Sequence, residues 1–315
     1  MKTAVSSEVG PLEAVVVNPP MDEFDRMVPA NLHAFQELPD GSRRPNPDYL
    51  MFDDLILLER MQIEHRQLRE VLAAATGPRG VHTVRGMVAA SLSEEPIRIE
   101  VIDQVIALEQ ELYGMSDAAA GTLDTELRAL NAMRLTDTLF TGVERYSQRQ
   151  LLRWPIPNAL FARDLGAVLG DALVMTYAAR AGRRRDMLLA RFVARYHPLF
   201  CDTERIDIAE DGPVRAPDGT PIATLEGGDL QVLSDRIAVV GCGIRTCGSV
   251  PTAGCSAAGP RFRGGRPGGP PAAPRRHASG HALHSGRPSA LSHFSSVGRG
   301  PGGAECLHPH YSKRR

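Results

Sequence analysis

At 315 residues and 43% hydrophobic content the chain is long enough for one large α/β domain or two smaller ones, and no apolar run reaches the roughly 20 residues that a membrane helix needs. The N-terminus has no basic-then-apolar leader pattern, so a cytoplasmic protein without a membrane partner is expected; five cysteines without regular spacing argue against a disulfide framework or a zinc site. The formal net charge of −1 hides a split, because residues 247–315 hold ten Lys/Arg against the single acid Glu305, which leaves 26 basic and 36 acidic side chains in the first 246 residues.

Residues 12–17 read as a short apolar strand ended by Asn18-Pro19-Pro20. Residues 21–50 read as loop, with a turn at Asp40-Gly41. The pattern then becomes helical: Asp53 or Asp54 is placed to cap, and Leu57, Met61, Leu68, Val71 and Leu72 share one face. Between residues 80 and 146, Val101, Val105, Leu108 and Leu112 form a stripe closed by Gly114, and Leu123, Leu127, Leu130 and Met133 form another, as in a small helical bundle.

The chemistry-bearing sequence runs from Trp154 to Arg245. Pro157-Asn158-Ala159-Leu160-Phe161-Ala162-Arg163-Asp164 precedes two short strands, residues 167–169 and 172–175, joined by a Gly170-Asp171 turn. Arg180, Arg183, Arg184 and Arg185 then lead to Asp186 and to Met187, Leu188, Phe192 and Val193 at helical spacing, ending at His197-Pro198. Glu226-Gly227-Gly228-Asp229 opens a second hairpin, residues 230–233 and 237–241, with Arg245-Thr246 beyond it. By themselves these carboxylates and arginines read equally well as strand-end caps, turn residues and a solvated helix end. Cys201 and Cys242 read as small buried hydrophobes.

Taken in order, Pro-Asn-x-x-Phe-x-Arg-Asp, the arginine cluster, Glu-Gly-Gly-Asp and Arg-Thr resemble the arginine deiminases of the guanidino-group-modifying α/β-propeller superfamily. Ser7-Glu8-Val9-Gly10-Pro11-Leu12 and Phe52-Asp53-Asp54 resemble the family's earlier landmarks, so the likeness spans residues 6–246. It implies an α/β fold: an incomplete fivefold pseudosymmetric α/β propeller from residues 1–75 and 150–246, with residues 76–149 as the all-helical insertion that distinguishes these enzymes from their smaller relatives. The implied reaction is hydrolysis of L-arginine to L-citrulline and ammonia through a cysteine thiolate, with no metal or organic cofactor, and the intact family admits homo-oligomers.

By the same resemblance Asp164 grips the guanidinium and Glu226 orients a catalytic histidine. Asn158, Arg184 and Arg245 hold the amino-acid end, Phe161 packs on the aliphatic stem, and Asp229 has either a binding or a turn role. The place of Arg184 comes from aligning Asp186 with the family's acid at the helix start, so Arg183 and Arg185 remain the alternatives of a one-residue slip. Ile244 departs from the pattern, which has an acid there. A guanidinium is a planar fork of five donors, for which carboxylates are the natural partners. Hydrolysing it is eased by a covalent cysteine intermediate and a histidine acid/base.

After Thr246 the resemblance implies a His-x-Asp motif and a late cysteine. Residues 247–315 instead contain 13 glycines, nine prolines and no Asp, Ile, Met or Trp, a composition expected to be disordered. Residues 277–284, His-Ala-Ser-Gly-His-Ala-Leu-His, permit the codons CAT GCA TCT GGA CAC GCT CTT CAC T, which from the second base read Met-His-Leu-Asp-Thr-Leu-Phe-Thr. The tail is therefore expected to be an out-of-frame translation, its Cys247, Cys255, Cys306 and six histidines incidental, and the chain inactive in this form. Two other classes compete: a non-catalytic relative that retains arginine-binding groups, and a nucleic-acid-binding protein working through the basic tail. The tail lacks the interleaved aromatics of specific binding, so no specific nucleic acid is expected.

Overall fold

The computed structural model describes residues 3–52, 55–209, 223–241, 243, 245 and 246. Asp53, Asp54, Cys242, Ile244 and the whole of 247–315 lie outside the described residues, and with them the helix cap, the departure before Arg245 and the readings made of the tail. In order, the elements begin with β1 (Val15–Val17), β2 (Phe35–Glu37), β3 (Arg43–Pro45), α1 (Leu58–Thr76) and β4 (Val81–Thr83). Four helices follow, α2 (Val84–Ser91), α3 (Glu95–Tyr113), α4 (Asp117–Arg128) and α5 (Ala132–Thr141), and then β5 (Val143–Glu144) and β6 (Arg149–Gln150). The site region contains α6 (Ala162–Leu165), β7 (Gly166–Leu169), β8 (Ala172–Met175), α7 (Arg184–Tyr196), β9 (Glu204–Asp207), β10 (Leu230–Val232) and β11 (Ala238–Val240).

The architecture is mixed α/β, with helices beside small separate sheets and no closed barrel among the described residues. β1 pairs with β4 in parallel across the α1 crossover, and β8 lies between antiparallel β7 and parallel β9. No described helix is long and apolar enough to cross a membrane. The 7–8 and 10–11 pairs form the two hairpins that turn chemistry indicates, and Gly170, at φ +60, supplies the left-handed corner of the first. Within the stretch read as loop, β2 and β3 form a third hairpin about Gly41, at φ +78.

The main core lies where α7 and the site turns meet the helical block. Leu127, Leu135, Leu139, Phe140, Leu152, Ile156, Met187 and Leu189 are among its buried members. α3 ends as its stripe indicates, on Gly114 in the left-handed region, and Asn131 caps α5 by accepting the Arg134 amide. That cap corrects the second stripe. A new helix starts at Ala132, so Met133 leaves the face of Leu123, Leu127 and Leu130 and is 70% exposed. α1 also differs, since Leu57, Leu68 and Val71 face solvent and only Leu58 is buried along the helix. Cys201, expected in a buried position, is exposed after α7.

Fully buried Leu135 and exposed Leu68 make a calibrated pair. Leu135→Ala is expected to lower unfolding stability by about 2–5 kcal/mol through lost burial and the cavity left behind, and Leu68→Ala by less than about 1 kcal/mol. Denaturant unfolding of the two variants checks the contrast, which equal losses would overturn.

Candidate functional site

The site is assembled by two tight turns. Pro157 starts a 3₁₀ turn over Pro157–Leu160, and α6 follows at once, carrying Asp164 in its first turn. The Asp164 backbone carbonyl accepts from Thr176 Oγ1 at 2.7 Å, which ties α6 to the end of β8. A second 3₁₀ turn, Gly227–Asp229, lies against α6, and glycine is required there. A Cβ on Gly227 would meet the Arg163 carbonyl oxygen at 2.0 Å, and one on Gly228 would meet Asp164 Oδ1 at 2.7 Å. With no side chain in the way, the Gly228 amide donates to Asp164 Oδ1 at 3.1 Å.

Arg163 clamps the same turn from outside. It donates to the carbonyls of Gly227 and Leu230 at 3.2 and 2.7 Å and to Glu8 at 2.6 and 3.2 Å. The Arg163–Glu8 hydrogen bond holds the Glu8 carboxyl below its usual value.

At the centre sits Arg183, 1% exposed. Its Nη1 donates to Asp164 Oδ2 at 2.7 Å and lies 3.9 Å from Glu226 Oε2; Nε donates to Asp186 Oδ2 at 3.2 Å and Nη2 to the Asn158 carbonyl at 3.2 Å. Burial works against its charge, but Asp186, Asp164 and Glu226 outweigh this and hold it above the ordinary guanidinium value. Arg245, on the outer side, places Nη1 3.5 Å from Glu226 Oε2. Burial also raises the Glu226 carboxyl, opposed by Arg183 and Arg245 and reinforced by Asp164 and Asp229. Its second oxygen, Oε1, is buried and accepts no hydrogen bond among the described residues. Thr246 closes the cluster, its Oγ1 accepting from the Glu226 amide at 3.1 Å and donating to Asp229 Oδ2 at 2.5 Å.

The structure thus brings Asp164, Glu226, Asp229 and Arg245 together. Asn158 joins through its backbone carbonyl, while its side chain donates to the Leu50 carbonyl at 2.5 Å. Phe161 stands at the rim, 44% exposed, stacked on Phe52 at 5.8 Å. Arg184 is not brought in. It opens α7, and one residue of helical rotation turns it toward α3, where it pairs with Glu111 at 2.5 and 3.1 Å and covers the Tyr177 ring at 5.4 Å. Arg183, one of the two alternatives of the one-residue slip, takes the central place, and Asp186, three positions on and therefore on its own face, was a signal for it. Thr246 had none. Among the described residues no three His, Cys, Asp or Glu side chains gather as a metal-ligand set.

The arginine deiminase family model matches residues 48–249. The chain is 27% identical over 262 residues to an arginine deiminase of Oenococcus oeni, and 26% identical over 258 residues to one of Staphylococcus haemolyticus. Each match covers 77% of this chain and 56% of the relative, so the chain spans a little over half the length of the curated relatives it matches.

Burial lifts the Asp186 carboxyl to about 6 against the pull of Arg183. A carboxyl raised on folding holds its proton longer in the native than in the unfolded chain, so its contribution to stability falls as pH rises between about 4 and about 6 and is level above that. Unfolding measured from pH 4 to 7 is expected to show this declining segment in the wild-type chain and a flatter one in Asp186→Asn. Parallel profiles would overturn it.

Proposed function

The chain belongs to the arginine deiminase family, and from that membership we propose that the Asp164–Glu226 cluster is the guanidinium-binding half of a site that hydrolyses L-arginine to L-citrulline and ammonia. One observation carries the reading. The two carboxylates already converge on a guanidinium nitrogen, that of Arg183, at 2.7 and 3.9 Å. The first distance is a charge-assisted hydrogen bond and the second an ion-pair separation, and carboxylates are the natural partners of a guanidinium.

In this reading Asp164 holds the substrate's guanidinium in the plane set by the Gly228 amide and α6. Phe161, steadied by Phe52, packs on the aliphatic stem. Arg245 faces the α-carboxylate, and Arg183 replaces Arg184 as its inner partner. Glu226 Oε1, buried and unpartnered, suits the N–H of a histidine acid/base. A cysteine sulfur then adds to the guanidinium carbon, ammonia leaves with a proton from the histidine, and water activated by the same histidine adds to the carbon and releases citrulline with the thiolate restored.

Neither a His-x-Asp motif nor a matching cysteine follows Thr246 in this frame, and the family match stops at residue 249. That position supports a frame change just after codon 246. We therefore infer that residues 1–75 and 150–246, with β4 paired to β1, belong to an α/β propeller around the mainly helical remainder of 76–149, and that the chain as it stands turns over no arginine.

Two measurements test this. The nucleotides across codons 277–284 are expected to encode Met-His-Leu-Asp in the shifted frame. The corrected chain is expected to release citrulline from L-arginine, with Asp164→Ala lowering kcat/KM by roughly a hundredfold or more, as loss of a charged group clamping the reacting centre does. A corrected chain that leaves arginine intact, or nucleotides that exclude His-x-Asp, would overturn the reading.

A further inference from the structure

A binding site for a cation is normally open to its ligand. This one already contains a guanidinium, supplied by the chain itself, and 1% exposed. Arg183 is held at each nitrogen: Nη1 by Asp164 with Glu226 behind it, Nε by Asp186, and Nη2 by the Asn158 carbonyl. A second guanidinium drawn to Asp164 Oδ2 meets Nη1 already on it at 2.7 Å and is opposed by the charge of Arg183. If it displaced Nη1 and offered nothing in return, a buried cation would lose its strongest partner, a loss of several powers of ten in affinity for a desolvated charge.

Resting on the guanidinium reading above, we propose that Arg183 is an internal ligand of the Asp164–Glu226 clamp, exchanged for a free guanidinium only by a ligand that also presents Arg183 with a carboxylate. The exchange keeps every charge paired. Before it, Arg183 is matched by Asp164 and Asp186. After it, the ligand's guanidinium takes Asp164 and Glu226, while the ligand's carboxylate takes Nη1 of Arg183 together with Arg245, which stands 3.5 Å from Glu226 and is half exposed. Asp186 stays paired with Nε, so the guanidinium turns as one rigid plane about that contact. The swap makes the ligand's two ends interdependent, which is a source of selectivity distinct from the sum of two independent ion pairs.

The test compares L-arginine with agmatine, its decarboxylated analogue of the same stem and guanidinium, by calorimetry on the full chain and on Arg183→Met and Arg183→Lys. The wild-type chain is expected to prefer arginine by about a hundredfold or more. In Arg183→Met agmatine is expected to bind at least roughly tenfold more tightly than to the wild type, and the preference is expected to shrink below about tenfold. Arg183→Lys keeps a buried cation in place of a fork and guards against a variant that fails to fold; a smaller gain for agmatine is expected there. Agmatine binding that is unchanged or weakened in both variants, with arginine still bound by the wild type, overturns the internal-ligand proposal alone. Absence of arginine binding to every chain overturns the guanidinium reading and this proposal together.

Discussion

A guanidinium removed almost entirely from water is the constraint around which the site region is organised. Taking such a charge out of solvent is costly unless every donor finds an acceptor and opposite charge lies close by. Arg183 has an acceptor at each of its three nitrogens, from Asp164, Asp186 and the Asn158 carbonyl, with Glu226 just beyond. Those partners come from four separate pieces of chain, so satisfying one side chain fixes their mutual positions. The glycines follow from the same requirement. Asp164 is held from its other side by the Gly228 amide, and the close approach of that turn leaves no room for a Cβ at Gly227.

Arginine plays this bracing role repeatedly because the sheets are too small to brace themselves. No described strand exceeds four residues, and isolated two-stranded pairs are marginal in water. Arg163 spans the carbonyls of Gly227 and Leu230, and Arg185 those of Leu139 and Trp154 while pairing with buried Glu109. Arg191 joins the Thr176 carbonyl to Asp207, linking α7 to the neighbouring strands. Each ties backbone of one element to another through a rigid fork, a geometry that lysine's single ammonium does not reproduce. Asp48 extends the network by accepting from Arg153 and Trp154, so the early loop leans on the helical block while its Leu50 carbonyl receives Asn158.

Where local rules decide an element, the sequence was legible. Gly-Asp between two apolar runs gives the 7–8 hairpin, and Gly114 ends α3. Pro-Asn-x-x-Phe-x-Arg-Asp and Glu-Gly-Gly-Asp were singled out by their resemblance to a family, since alone their carboxylates read as caps and turn residues. Failures arose where the answer depends on what lies across space. Helical periodicity identified α1 but not that most of its apolar positions would face solvent. Met133 looked continuous with the preceding stripe until the Asn131 cap restarted the helix. Arg183 and Arg184 are chemically identical, and only the phase of α7 decides which is buried among carboxylates and which reaches Glu111.

Thr246 is the last described residue of the chain. Its one hydroxyl accepts from the Glu226 amide and donates to Asp229, so it holds both ends of the Glu-Gly-Gly-Asp turn at once. Among the described residues the carboxylate cluster is closed by Thr246, before the sequence changes character and three residues before the family match stops. On the deiminase reading proposed above, a guanidinium clamp is separable from the groups that attack a guanidinium carbon, because its members lie on α6, at the start of α7 and beside the 10–11 hairpin, all upstream of the change. On the deiminase reading, the buried and unpartnered Oε1 of Glu226 is the atom at which the two halves meet. It is shielded from water, flanked by Arg183 and Arg245 on its companion oxygen, and needs a donor that no described side chain provides. A carboxylate so placed suits orienting a neighbouring imidazole better than contacting solvent, which connects the electrostatics of the described residues to the chemistry proposed for the restored frame.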